Sequence, residues 1–393
     1  MSSTLYTDIA TLVTNDSSLD RGLLGELSDA AFIEEGGYIS WVGERAAAPD
    51  TDNSVSLAGK TVLPGFVDSH AHLVFAGDRA KEFSARMNGE SYSAGGIMTT
   101  VNATRTATDE ELDEGIATRA MEMYRSGITT FETKSGYGLN VADELRSVKL
   151  AVQHTEDVTF LGAHVIPEEY KARPDDYVAL VIGEMLEACA PYSKWIDVFC
   201  DKGAFDYDQA KAILNAGIDA GLLPRIHANQ LSSSRAVELA VELDCASADH
   251  LSHLTDKEID LLAKSNTVAT LLPGAEFSTR SEYPDARRLF AAGATVAIAT
   301  DCNPGSSYTT SMPFCIAVAV RDMHFTIEQA IYSATMGGAK ALQRDDVGLL
   351  SVGKAADFVV LGAPSYSHLA YRPGVDLISE TFIAGTSIYR SNK

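Results

Sequence analysis

Eight apolar, strand-like runs alternate with helical stretches across most of the chain, and nothing else in the sequence restricts the fold as much. The first is Thr61-Val62-Leu63-Pro64-Gly65-Phe66-Val67; the others occupy 128–132, 158–164, 195–200, 223–227, 246–250, 268–272 and 294–301. Stretches with helical pattern, such as those from Asp109 onward and from Asp206 to Ala220, fall between them. Strand–helix alternation implies parallel strands joined by crossover helices. At about 35 residues per unit, the expected architecture is α/β, a (β/α)8 TIM-like barrel. A doubly wound open sheet is the rival that periodicity alone leaves standing.

The polar residues sharpen this expectation. His70, His72, Glu132, His164, His227, His250 and Asp301 all sit at or just beyond the C-terminal ends of their runs. In a parallel barrel those ends share one mouth, where active sites are built. Five of the nine histidines fall there, which scattered surface histidines would not do. His70 and His72 are also one residue apart, and in a strand residues i and i+2 share a face. Two imidazoles aimed at one point are half of a metal site for zinc, iron or nickel.

Residues 1–62 and 345–393 read differently. Ala31–Gly43 is two short strands around Gly36-Gly37, a hairpin signal. A turn and strand over 348–361 and a hairpin around Gly385 follow the last helical stretch. We expect these two ends to form one small composite β-sandwich domain flanking a barrel of residues 63–344.

Composition excludes several classes. The chain carries 31 Lys+Arg against 54 Asp+Glu, a net charge of −23, so no basic surface for nucleic acid is expected. Apolar runs fall short of the ~20 residues that span a bilayer, and no partner membrane is expected. Five cysteines, an odd number without Cys-x-x-Cys, fit reduced thiols. The N-terminal residues lack a basic segment followed by an apolar one, so no secretion signal is expected and the location is expected to be cytoplasmic.

Two segments, Pro64-Gly65-Phe66-Val67-Asp68-Ser69-His70-Ala71-His72 and Gly353-Lys354-Ala355-Ala356-Asp357-Phe358-Val359, resemble the amidohydrolase superfamily. Four others resemble, within it, the branch that hydrolyses 4-imidazolone-5-propanoate in histidine degradation. They are His72–Arg79, Lys134–Leu139, Gly162–Tyr170 and Thr300–Ser307. The resemblance covers nearly the whole chain. It implies one divalent metal ion per chain, Zn2+ or Fe2+/Fe3+, a small-molecule substrate and a homodimer. Two departures stand out. The fifth run ends His227-Ala228-Asn229-Gln230, where the family has Asp followed by Glu or Gln, and the loop Glu90–Ile97 looks several residues short.

Residue by residue, the resemblance implies His70, His72, His227 and Asp301 as metal ligands. Asp301 would also accept a proton from the attacking water and pass it to the leaving nitrogen; the bland alternative is a helix N-cap. His250 would stabilise the developing oxyanion, with a ligand role as its alternative. No lysine ends the fourth run, so a single metal is expected rather than a lysine-bridged pair. Gln230, an amide, can hydrogen-bond but not act as a carboxylate base. Arg79 matches the carboxylate clamp, its guanidinium offering a two-pronged fork. Tyr137 and His164 match further substrate contacts, a phenol and an imidazole donor. Asn303, Gly305 and Ser306 follow Asp301 in a turn-rich loop that would hold the ligand. The rival readings are a nucleobase deaminase, which Arg79 argues against, and an inactive assembly protein, which would lack ligands that this chain retains.

Overall fold

The computed structural model describes residues 2–89 and 96–392. Most of the loop expected to be short, residues 90–95, lies outside the described residues. The chain resolves into two compact units. One comprises Met1–Asp68, Met121–Thr130 and Ser311–Lys393; the other comprises Ser69–Ala120 and Phe131–Thr310.

The first unit holds a seven-stranded sheet drawn from both chain ends. The N-terminal part supplies Ser3–Leu12, Leu27–Glu35, Tyr38–Glu44 and Asn53–Pro64; the C-terminal part supplies Phe358–Leu361, Ile378–Ile383 and Thr386–Arg390. Phe358–Leu361 pairs antiparallel with Asn53–Pro64 and so joins the two ends. The expected hairpin turns at Gly36 and Gly37, with φ of 61° and 90°. Two consecutive positive φ values suit a tight hairpin turn and glycine reaches them without strain.

Phe358 and Phe32 lie on strands three places apart in this sheet. A flat sheet would separate them by roughly 14 Å. Their ring centres are 5.0 Å apart, and Tyr6 and Phe382 pack on Phe358 at 4.9 and 4.1 Å. The sheet therefore curls over its own aromatic core.

All eight runs form strands. In the second unit, seven strands pair side by side in parallel: Thr133–Lys134, Val158–Ala163, Trp195–Cys200, Ile226–Ala228, Ser247–His250, Val268–Leu271 and Val296–Ile298. They keep in space the order they have in sequence. A doubly wound sheet reverses its strand order part-way, so this ladder does not match that rival. Crossover helices are capped as their sequences imply. Asp206 with Gln209 and Thr255 with Glu258 form reciprocal boxes at the starts of Tyr207–Asp219 and Asp256–Ala263.

The first two runs pair with each other instead, as Phe66–Asp68 and Ile128–Phe131. The continuation of the first, Ser69 to His72, belongs to the second unit. There His70 O accepts from Asp301 N–H at 2.9 Å, His72 N–H donates to Cys302 O at 3.0 Å, and Ala71 O accepts from Lys134 N–H at 3.0 Å. The His-x-His segment thus bridges the two ends of the parallel ladder.

Candidate metal centre and substrate pocket

His70, His72, His227, His250 and Asp301 are all buried and converge, as their positions at strand ends imply. His72 Nε2 lies 3.3 Å from His70 Nε2 and 3.4 Å from His227 Nε2. Asp301 Oδ1 lies 3.5 and 3.6 Å from the same atoms of His72 and His70. Ligands bound at about 2.05 Å around one tetrahedral ion sit about 3.3 Å from each other. The donor spacing is therefore that of a single small cation.

Tautomers support the same conclusion. His70 Nδ1 lies 2.7 Å from Asp249 Oδ2, and His227 Nδ1 lies 3.1 Å from Asp197 Oδ1. A carboxylate accepts, so each Nδ1 carries the proton and each Nε2 presents a lone pair. Burial first, then neighbouring positive charge, holds His70 and His72 well below the usual histidine range. Neutral imidazoles whose lone pairs crowd one dry point repel unless a cation sits among them. These residues fit a divalent metal ion.

Backbone strain helps aim the groups. His250 and Asp301 have φ of 81° and 52°, uncommon for residues with a side chain. At His250 this breaks the strand alternation, so that Asp249 reaches His70 while His250 lines the cavity. Burial raises the Asp301 carboxyl well above its usual range, against hydrogen bonds from Asn303 and Ser306. A cation beside it would reverse that shift.

Arg79, Tyr137, His164, Gln230, Asn303 and Ser306 line the same cavity. The side chain of Arg79 is 4% exposed. Its Nε and Nη2 donate to Glu82 at 3.0 and 2.6 Å. Nη1 has no partner among the described residues. Gly305 lies against the guanidinium rather than on the cavity wall; a Cβ there would stand 2.3 Å from Nη1. Asn303 and Ser306 are engaged within their own loop. Asn303 Oδ1 accepts from Gly305 N–H and Ser306 N–H, and Ser306 Oγ donates to Asp301 Oδ2 at 3.3 Å.

His164 departs from its expected role as a donor. Its Nδ1 lies 3.0 Å from the Gly136 carbonyl, which can only accept. Burial, with His227 adding to it, pushes its pKa down to about 3. The neutral ring spends its only N–H on Gly136, so Nε2 is an acceptor. Asn229, one of the two departures, also finds a reason. With φ of 53° it donates to His253 O at 3.0 Å and to Glu258 Oε1 at 2.8 Å. An aspartate would set a second carboxylate against Glu258.

The sequence reading missed Asp197, Asp249, Arg225, Lys134, Glu82 and Glu144. Glu144 is fully buried and accepts from Gly136, Gly138 and Leu139 N–H, which shapes the loop carrying Tyr137. One signal was available. Charged residues inside buried strands at two-residue spacing, such as Arg225 before His227 and Lys134 after Glu132, point inward with them.

The amidohydrolase family model matches residues 61–388. The imidazolonepropionase of Streptomyces coelicolor is 62% identical, covering 98% of this chain and 98% of its own. That of Mycolicibacterium smegmatis is 59% identical over 100% of this chain and 99% of its own. Among solved structures, atrazine chlorohydrolase from Arthrobacter aurescens complexed with zinc superposes with a TM-score of 0.75 at 18% identity, covering 98% and 95%. Guanine deaminase from C. acetobutylicum gives 0.71 at 15%, covering 98% and 100%. At that distance the structures speak for the fold alone. The parallel ladder, the converging imidazoles at its mouth and relatives matched from end to end agree: this chain belongs to the amidohydrolase family.

Proposed function

We propose that this protein hydrolyses the cyclic amide C–N bond of 4-imidazolone-5-propanoate, giving N-formimidoyl-L-glutamate. The observation that carries the reading is one cavity lined by His72, His227 and Asp301 of the imidazole–carboxylate cluster and by Arg79, whose Nη1 has no partner among the described residues. Relatives at 57–62% identity that bear the imidazolonepropionase name support it.

In this reading His70, His72, His227 and Asp301 hold one divalent cation, zinc or iron. When bound, such an ion supplies Lewis acidity and brings the pKa of water toward neutrality. Arg79 binds the propionate through Nη1, which answers the long-range repulsion from a net charge of −23. His250, held neutral by burial, donates a ring N–H to the carbonyl oxygen as it gains charge. Asp301 accepts the proton of the attacking water and passes it to the ring nitrogen as the C–N bond breaks. Gln230 hydrogen-bonds the ring, and His164 accepts an N–H of the substrate. Tyr137 donates its phenol O–H, Asn303 and Ser306 shape the wall beside Asp301, and Gly305 lies against the Arg79 guanidinium.

We read the chain as a (β/α)8 barrel over 63–344 and a β-sandwich built from 1–62 and 345–393. The joined ends of the parallel ladder support the first and the curled seven-stranded sheet the second. A homodimer, on the family resemblance, and a cytoplasmic location, on the cysteine pattern and the lack of a secretion signal in the N-terminal residues, complete the reading. Among the described residues no helix is long and apolar enough to cross a membrane.

The test is product identity. With imidazolone propionate generated in place by a urocanase, mass spectrometry should find N-formimidoyl-L-glutamate. Ammonia released from a nucleobase, with imidazolone propionate untouched, would overturn the reading in favour of a deaminase.

A further inference from the structure

Lys134 is fully buried, and so are the two carboxylates beside it. Its Nζ lies 3.0 Å from Glu132 Oε1 and 3.0 Å from Asp197 Oδ2. A buried ammonium is tolerated only when paired in this way, and such pairs add little net stability. What the pair does here depends on what each carboxylate does next. Asp197 turns its other oxygen to His227 Nδ1 at 3.1 Å. Glu132 turns its other oxygen to the backbone N–H of Ala71, between His70 and His72, at 3.1 Å. The Lys134 backbone N–H adds its own bond to Ala71 O at 3.0 Å.

We propose that Lys134 is a positioning residue for the metal centre, tying the His70-x-His72 segment to His227 through Glu132 and Asp197. This rests on the reading that His70, His72, His227 and Asp301 hold a cation. The ammonium holds both carboxylates in place. So held, Asp197 accepts from His227 Nδ1 and leaves the lone pair of Nε2 facing the cluster. Glu132 fixes the stretch of backbone that aims the other two imidazoles. Without the ammonium, the two carboxylates lose the group that holds them side by side, and each can turn away from its next partner. Either movement disturbs the Nε2 cluster. A parallel arm serves His70: fully buried Arg225 Nη2 lies 3.4 Å from Asp249 Oδ2, the oxygen that meets His70. That arm does not pass through Lys134.

The test is zinc affinity of the full chain, measured by competition with a chromophoric chelator. Lys134→Met and the charge-balanced pair Glu132→Gln/Lys134→Met are compared with the parent. Thermal unfolding of the metal-stripped forms reports on fold separately. The expected result is a 10- to 100-fold weaker zinc affinity, the range typical when partners of metal ligands are lost. Cobalt-substituted protein should show an altered visible spectrum, which a merely structural role would not produce. Affinity within twofold of the parent in whichever variant folds, with an unchanged cobalt spectrum, would overturn the proposal. A parent that binds no zinc would instead overturn the metal reading on which it rests.

Discussion

His70 Nδ1 and Asp249 Oδ2 lie 2.7 Å apart, both with fully buried side chains. That contact decides which nitrogen of His70 faces the cluster as a lone pair. Asp249→Leu removes the acceptor, so nothing holds the ring proton on Nδ1 and away from the metal position. Zinc affinity should fall roughly 10- to 100-fold, with catalysis at saturating zinc reduced less. Isothermal titration of the stripped protein checks this, and an unchanged affinity would contradict the tautomer argument.

Arg79 separates substrate binding from the metal centre. Arg79→Ala should raise KM for imidazolone propionate about 10- to 100-fold, since hydrogen bonds to charged groups contribute about 1.5–3 kcal/mol. Metal content should stay at the parental level. Steady-state kinetics with metal analysis on one sample reads both, and an unchanged KM would remove Arg79 from the carboxylate site.

Gly305 is placed by proximity rather than by turn geometry. A Cβ would stand 2.3 Å from Arg79 Nη1 and 3.3 Å from Asn303 Oδ1. Gly305→Ala should therefore displace the guanidinium and raise KM in the same direction as Arg79→Ala. Its effect in the Arg79→Ala background should be much smaller, because the clashing group is gone. Equal effects in both backgrounds would show that the glycine acts elsewhere.

The eight strands were legible because each was a buried apolar run between helical stretches. The convergence of His70, His72, His227, His250 and Asp301 was legible because each stood at the C-terminal end of such a run; the choice of four as metal ligands came only from the resemblance. Asp197 and Asp249 were not legible, since a carboxylate inside an apolar run has no partner until the parallel strands pair. Asp197 meets Lys134 and Asp249 meets Arg225 across sequence gaps that no local pattern spans. The donor role expected of His164 failed for a similar reason: only the fold brings the Gly136 carbonyl to its Nδ1. The pairing of Phe358–Leu361 with Asn53–Pro64 is equally non-local, and the curl that brings Phe358 edge-on to Phe32 follows from it.

Glu276 gives the chain a pH-dependent weakness. It is buried, and burial raises it from its ordinary 4.5 to about 7, opposed by the hydrogen bond from Ser252 at 2.6 Å. Its folded value is higher than its unfolded one, so between pH 4.5 and 7 the folded chain keeps a proton that the unfolded chain has released. Stability from this group therefore falls as pH rises through that window, by up to about 3 kcal/mol. Glu276→Gln should be more stable than the parent at pH 8, with the gap closing below pH 5. Urea unfolding at both pH values checks the sign; a gap that widens toward acid would contradict it.

In the proposed function one cation, held by His70, His72, His227 and Asp301, serves the hydrolysis of imidazolone propionate. The most direct measurement titrates metal-stripped protein with zinc or ferrous iron while following loss of substrate absorbance. Turnover should start near zero, rise in proportion to added metal and level off at one equivalent per chain, and His227→Ala should show neither binding nor turnover. Full turnover in the stripped protein, or saturation of the site with no turnover at all, would contradict it.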